Sequence, residues 1–380
     1  MKPASSAPPG APKAAREGKR PLTLVLSLDV EEEGLFGGRY ACANPGVRNT
    51  AALPRLAPLL ERGIRPTLFC AHSVLTDAPS RRVLARLRDE HGAEIGAHLH
   101  HWNTPPLTPG AAAAGALPRV PAAAVPEELM AAKLATLFAA GADFQGAPVS
   151  SFRMGRWDAH APLWPLLARL GVRCDASVRP LHRGKTPMAG PDHFDAPADP
   201  YWVDAGGTRI LEMPLTVTPV FSWLAGLCRA LPGGAGAAMR ASLSQWGALA
   251  LRPVQHPLSL LKLTTLLHAA RGGQVLSLTW HSSEMFPGGA PHVPDEATVT
   301  RFLDKMCAYV DWLGESFDLR FRTLAELRRD AGAGEPRTEV APAGAGDWTA
   351  PATGEKTAAT RPASERAGVP WERPAREGRP

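Results

Sequence analysis

The 380-residue chain predicts an α/β fold, a parallel sheet with helices packed outside it. Three observations carry that expectation. Short apolar runs alternate with helix-period segments over most of the chain, the pattern of repeated strand–helix units, whether the sheet stays open or closes into a barrel. Ionisable residues cluster where the apolar runs end, and sheets of this kind place their active sites at the C-terminal ends of the strands. Hydrophobic residues make up 44% and charged residues 21%, enough for a sizeable core in a globular protein.

Taken in order, Leu22–Leu28 is a continuous apolar run suited to a strand buried on both faces. Thr50–Arg62 has helical periodicity, Pro66–Ala71 reads as a strand, Ser80–His91 as a helix and Glu94–His98 as a strand. Pro105–Pro126 is rich in Pro and Ala and reads as a long loop ahead of a helix over Glu127–Ala140. Strand Ser150–Arg153, helix Pro162–Leu170, strand Arg173–Ala176, strand Gln274–Trp280 and helix Asp295–Leu313 complete the alternation. Residues 214–272 break this rhythm with small-residue-rich helical patterns at Val220–Leu231 and Pro257–Ala270. An inserted helical subdomain or lid accounts for them; the sharper alternative is a surface that rests on a membrane leaflet or wraps a lipid-linked substrate.

Residues 1–20 and 331–380 are poor in large apolar groups and are expected to be disordered tails around a domain spanning residues 21–330. The net charge of +6 and pI near 9.3 do not signal nucleic-acid binding, because residues 1–20 alone carry a net +4 and residues 331–380 balance. Only +2 is left for the domain, whereas a nucleic-acid module concentrates positive charge on its folded surface. Five widely spaced cysteines without a CxxC pair fit reduced thiols in a cytoplasmic protein, and neither an export signal nor a spanning helix is expected.

The chemistry lies at four strand ends. Asp29 and the run Glu31, Glu32, Glu33 follow the first strand; His98, His100 and His101 follow the third; Arg153 and Arg156 follow the fourth; His281 follows the last. One carboxylate and two histidines with open positions form the usual ligand set of a hydrolytic Zn²⁺ or similar ion, which polarises a carbonyl and acidifies bound water. A further carboxylate to take a proton and a histidine to give one back would complete a hydrolase.

The ordered segments LVLSLDVEEEG, AEIGAHLHHWNTPP, SFRMGRWD, VRCDASVRP, ILEMP and VLSLTWHSSE resemble the NodB-homology domain of the polysaccharide deacetylases over residues 21–330, in particular its WalW-like lipopolysaccharide-biosynthesis branch. The resemblance implies a distorted (β/α) barrel of fewer than eight strands, with the helical insertion added, and a divalent metal ion, most often Zn²⁺, used to remove acetyl or other acyl groups from amides. It implies an N-acetylated glycan or lipid-linked sugar as substrate. It assigns Asp29 as catalytic base, Arg153 as the arginine that pairs with it, His281 as general acid, and Asp175 as an acid that orients the catalytic histidine. Val30 occupies the family's usual metal-aspartate position and Trp102 its usual second metal histidine, so Glu31, His98 and His100 become the metal ligands, with His101 in reserve. Trp157 and Trp202 are sugar-stacking candidates, or else core residues.

Overall fold

The computed structural model describes residues 18–40, 42, 46–107, 120–183 and 190–332. The two tails, except for residues 18–20 and 331–332, and the middle of the Pro105–Pro126 loop lie outside the described residues.

The strands are β1 (Pro21–Val30), β2 (Thr67–Ala71), β3 (Glu94–Leu99), β4 (Ser151–Met154), β5 (Cys174–Asp175), β6 (Tyr201–Asp204), β7 (Arg209–Glu212), β8 (Val217–Pro219), β9 (Ala248–Ala250), β10 (Val275–His281) and β11 (Asp318–Phe321). The helices are α1 (Ala57–Glu61), α2 (His72–Thr76), α3 (Ala78–His91), α4 (Glu127–Gln145), α5 (Leu163–Arg169), α6 (Ser222–Ala230), α7 (Gly233–Ser242), α8 (Leu258–Ala270), α9 (Glu296–Ser316) and α10 (Leu324–Gly332).

Among the described residues one curled sheet runs β10-β1-β2-β3-β4-β5-β7-β6, parallel throughout except for β6, which is antiparallel to β7. With β11 beside β1 it has nine strands where fewer than eight were expected; it is a distorted half-barrel, as expected, and it does not close through strand pairing. The gap is spanned by irregular chain: Met213 N–H bonds to Asp175 O and Leu215 N–H to Val178 O, then Thr216 N–H crosses to Ser277 O on β10.

Strand alternation explains how the sequence fills both faces. On β1, Leu24, Leu26, Leu28 and Val30 join the large core under the helices, while Val25 belongs to a smaller inner core with Phe69, Cys174, Trp202 and Leu211. Ser27 and Asp29 continue that inner row toward the strand end. The bottom of the half-barrel is plugged by α10, whose Leu324 and Leu327 enter the inner core and whose first turn is bonded to Thr67 and Glu94. Functional groups are thereby confined to the opposite mouth.

Helix boundaries have local causes. Asp77 caps α3 by accepting from Ser80 N–H, and Gly92 ends it at φ 67°, where only glycine is unstrained. The single helix expected over Thr50–Arg62 is instead a tight turn segment, Arg48–Leu56, followed by α1; Pro54 has no N–H to extend an α-helical ladder. Within residues 214–272, α6 and α8 coincide with the two helical patterns, but β8, before α6, and β9, after α7, form an antiparallel pair.

Candidate active site

β1 and β10 lie side by side with Asp29 opposite His281, and β3 and β4 place His98 opposite Arg153. Period-2 alternation then selects the residues. Asp29 and Glu31 share one direction while Val30 turns into the helix-side core, fully buried, so the acid absent at position 30 is supplied one residue later.

Arg153 is buried and fully engaged. Its Nη1 donates to Asp29 Oδ1 at 2.6 Å and to Thr279 Oγ1 at 2.8 Å, Nη2 to Ser27 Oγ at 2.9 Å, and Nε to Ala176 O at 2.9 Å. Phe69 and Trp157 both pack against its guanidinium. The contact neutralises Asp29 and fixes Oδ1, leaving Oδ2 facing His281 Nε2 at 3.7 Å.

Glu31 Oε2 stands 3.3 Å from His98 Nε2 and 3.2 Å from His100 Nε2. His98 Nδ1 meets the Arg153 carbonyl at 3.0 Å, and a carbonyl only accepts, so Nδ1 carries a proton and Nε2 is the atom turned to Glu31. His100 Nδ1 meets both Glu32 oxygens, at 2.8 and 2.9 Å, so its Nε2 is likewise the atom turned to Glu31; burial opposes charge on this ring, but Glu32 and Glu31 outweigh it and raise His100 to about 10. Three potential ligand atoms of a buried N, N, O set thus converge, each imidazole held by an oxygen on its far side as metal-bound histidines usually are. Ligands about 2.0–2.1 Å from a tetrahedral ion stand roughly 3.3 Å apart. The spacing fits a small divalent cation.

His101 does not join this set. Its Nε2 meets Val120 O at 3.0 Å instead. Trp102, at the position of the expected second histidine, stacks on His100 with centroids 4.2 Å apart and donates to Glu32 Oε1. Trp202 belongs to the inner core with the Arg209 guanidinium over its ring, away from the mouth.

Asp175 also lies elsewhere, and here the expectation is corrected. Cys174 and Ala176 occupy the inner core, so Asp175 between them projects to the other face. There it accepts from Ser177 Oγ at 2.6 Å and sits opposite Glu212 in the β5–β7 register. The partners of His281 are Asp29, Glu31 and Glu284, not Asp175. Burial raises the Asp175 carboxyl to about 6, partly offset by hydrogen bonds from Glu212 and Ser177; burial and the Asp175 charge push Glu212 well above its usual range. The pair therefore holds a proton in the folded state. Because both values are raised on folding, the stabilisation is complete below the unfolded values near 4 and is lost as pH rises through about 6 and beyond. Unfolding measured by urea at pH 4.5 and 7.5 should show this loss in the native chain and a flatter profile in Asp175→Asn; identical slopes would remove the shared proton.

Glu284 takes the orienting position beside His281. Its Oε2 receives His281 Nδ1–H at 2.9 Å and His281 N–H at 2.9 Å, and its Oε1 lies 2.7 Å from His292 Nε2. Phe36 meets the edges of both imidazoles. Burial opposes charge on His281, but Glu31, Glu284 and Asp29 outweigh it and raise His281 to about 10. Burial works against the Glu284 anion, but His281 and His292 outweigh it and bring its carboxyl down to about 2. Burial likewise works against the Glu31 anion, yet the His281 charge and bonds to His100 and His98 hold it well below the carboxylate range. Glu32, Glu284 and His292 were not singled out from the sequence, although the HSSE segment puts Glu284 one helical turn after His281.

Gly155 explains how close β4 can come to the imidazoles. A Cβ there would stand 2.5 Å from His100 Cδ2 and 2.6 Å from the Leu99 carbonyl. Gly155→Ala is expected to displace His100 and weaken divalent-ion binding at least about tenfold, measured by competition with a chromogenic chelator; unchanged affinity would show that His100 is not held by this contact.

No family model matches the sequence, and no curated protein matches it. Among solved structures the chain is similar to a candidate glycoside hydrolase/deacetylase from Parabacteroides distasonis, at TM-score 0.52 and 14% identity, covering 84% of this chain and 73% of that one. It shares the fold of that glycoside hydrolase/deacetylase. The chain is also similar to the Puue allantoinase, at TM-score 0.51 and 14% identity over 87% of this chain and 96% of that one. A candidate polysaccharide deacetylase from Mycobacterium smegmatis is 19% identical, with TM-score 0.49, over 89% and 99% of the two chains.

Proposed function

We propose that the protein is a metal-dependent hydrolase that removes an N-acetyl group from a sugar of a surface polysaccharide or lipopolysaccharide. The observation that carries this is the convergence of Glu31, His98 and His100 on one point beside the Asp29–His281 pair. Glu31, His98 and His100 would hold the divalent ion, with Zn²⁺ favoured by the two imidazoles, and the ion would supply carbonyl polarisation and acidified water. Asp29 takes a proton at Oδ2 from the attacking water, while Arg153 keeps Oδ1 engaged. His281, protonated at Nε2, gives that proton to the departing amine. Glu284 holds Nδ1 so that Nε2 faces the reacting atoms. Water that attacks a carbonyl carbon leaves acetate and a free sugar amine.

The test is metal content together with product. Purified protein is expected to carry one divalent ion per chain, chelation should abolish acetate release from N-acetylated glycans, and restoring Zn²⁺ should recover it. Comparison of cell-surface glycans with and without the protein should show a shift of one acetyl group. A chain that folds but retains no stoichiometric ion would leave a non-catalytic glycan-binding role. A second hydrolytic reading is favoured by the fold shared with an allantoinase: cleavage of a different amide, in which case formate or ammonia would be released in place of acetate.

A further inference from the structure

Every large hydrophobic side chain that is exposed among the described residues lies between Pro214 and Gly272: Phe221, Trp223, Leu227, Trp246, Leu263 and Leu266. Trp246 is 79% and Trp223 65% exposed, far beyond what a monomer normally leaves in water at one locus. The folding of the segment gathers several of them. Val220 N–H bonds to Gly247 O, so Phe221 and Trp246 flank the connected end of the β8–β9 pair, its tip, and the Phe221 and Trp223 rings lie 6.3 Å apart. Arg271, at the end of α8, donates to Thr218 Oγ1, Pro219 O and Val220 O and so fastens the helix to this same tip.

Charge supplies the second observation. The chain has 36 acidic residues, yet none falls between Pro214 and Gly272, where Arg229, Arg240, Arg252, Lys262 and Arg271 are found. Asp195 outside the segment pairs with Arg229 and approaches Arg240, and Asp199 meets His268, but Lys262 and Arg271 have no carboxylate partner among the described ion pairs. A segment bearing exposed Trp, Phe and Leu, an excess of basic groups and no acid in its own sequence is complementary to an anionic bilayer, where indole rings sit at the headgroup boundary and Lys and Arg meet lipid phosphates. No helix among the described residues is long and apolar enough to cross a membrane. Contact would therefore be made from one side.

We propose that the β8–β9 tip with α6 and α8 docks this protein on the surface of an anionic lipid bilayer. The pair is rooted beside the candidate site: Thr216 is bonded to Ser277 on β10, the strand that ends in His281. Three extended residues, about 10 Å of chain, separate that root from the tip. On the deacetylase reading, docking would carry the site to a glycan held at the membrane, but bilayer binding itself does not depend on that reading.

The experiment is flotation of the full chain with vesicles of phosphatidylcholine alone or with 30% phosphatidylglycerol. Native protein is expected to float with the anionic vesicles and far less with the neutral ones. The variant Phe221→Ser/Trp223→Ser/Trp246→Ser should lose partitioning by roughly tenfold or more, given the apolar area removed. Trp246→Ser alone, at the most exposed position, gives an intermediate loss and guards against misfolding of the triple variant. Catalytic-site variants such as His281→Ala should bind vesicles normally, which separates this proposal from the enzymatic one. Equal flotation with neutral and anionic vesicles, or no loss in the single and triple variants, would overturn it. So would a native chain that is dimeric by light scattering and becomes monomeric on substitution without any vesicle binding, since a second copy would then be the occupant.

Discussion

Asp29→Asn and His281→Ala are each expected to lower turnover of an N-acetylated sugar by about two to four orders of magnitude, with the folded circular-dichroism spectrum retained. Asparagine keeps the shape of Asp29 and an acceptor for Arg153 but has no basic oxygen for the water proton. Alanine at 281 removes the Nε2 donor, and Glu284 is left facing an empty position. The two side chains serve successive proton transfers in one reaction, so the double variant should be little worse than either single one. Single-turnover kinetics on the three variants would check this. Either single variant retaining a tenth of native turnover would remove the assigned role.

Arg153→Leu is expected to cost about 3–5 kcal/mol of stability, because removing one member of a buried ion pair leaves its partner charged and dry. Four donor contacts vanish together, to Asp29, Thr279, Ser27 and Ala176 O, and the packing against Phe69 and Trp157 goes with them. Arg153→Lys should recover only part of the loss, since an ammonium cannot reproduce the planar fork. Neutralising the partner gives the sharper control: Asp29→Asn/Arg153→Leu should lose less than the sum of the two single substitutions, with a coupling of about 0.5–3 kcal/mol in urea unfolding. Simple additivity would mean that the pair has no energetic unity.

The sequence made the parallel strands legible where they are long or continuous. Leu22–Leu28 has no competing helical period, and β1 occupies that run. The mouth residues were equally legible, because Asp29, Glu31, His98, Arg153 and His281 all follow apolar runs that can only be strands. What escaped was whatever depends on tertiary partners. β5 has two residues, too few for a periodic signal, and the side to which Asp175 turns is fixed by Cys174 and Ala176 entering the inner core. Ala248–Ala250 has a helix-favouring composition and becomes a strand only because Val217–Pro219 lies beside it. The division of labour among Glu31, Glu32 and Glu33 follows from where the chain leaves β1: Glu31 faces the two imidazoles, Glu32 holds His100, Trp102 and Asn103, and Glu33 binds Asn49 N–H and Arg48. Nothing in three consecutive glutamates distinguishes those tasks.

β1 shares one edge between two neighbours, Pro21–Leu24 pairing with β11 and Ser27–Val30 with β2. Synthesised before both neighbours, β1 is consequently only half satisfied on this edge until some of the last described residues emerge. Its upper half can assemble early around Asp29, whereas its lower half must wait with open backbone groups for Asp318–Phe321. The two ends of the fold are thus fastened into a single cooperative closure, and a nascent chain arrested before β11 would display an unpaired strand edge that invites association with other chains.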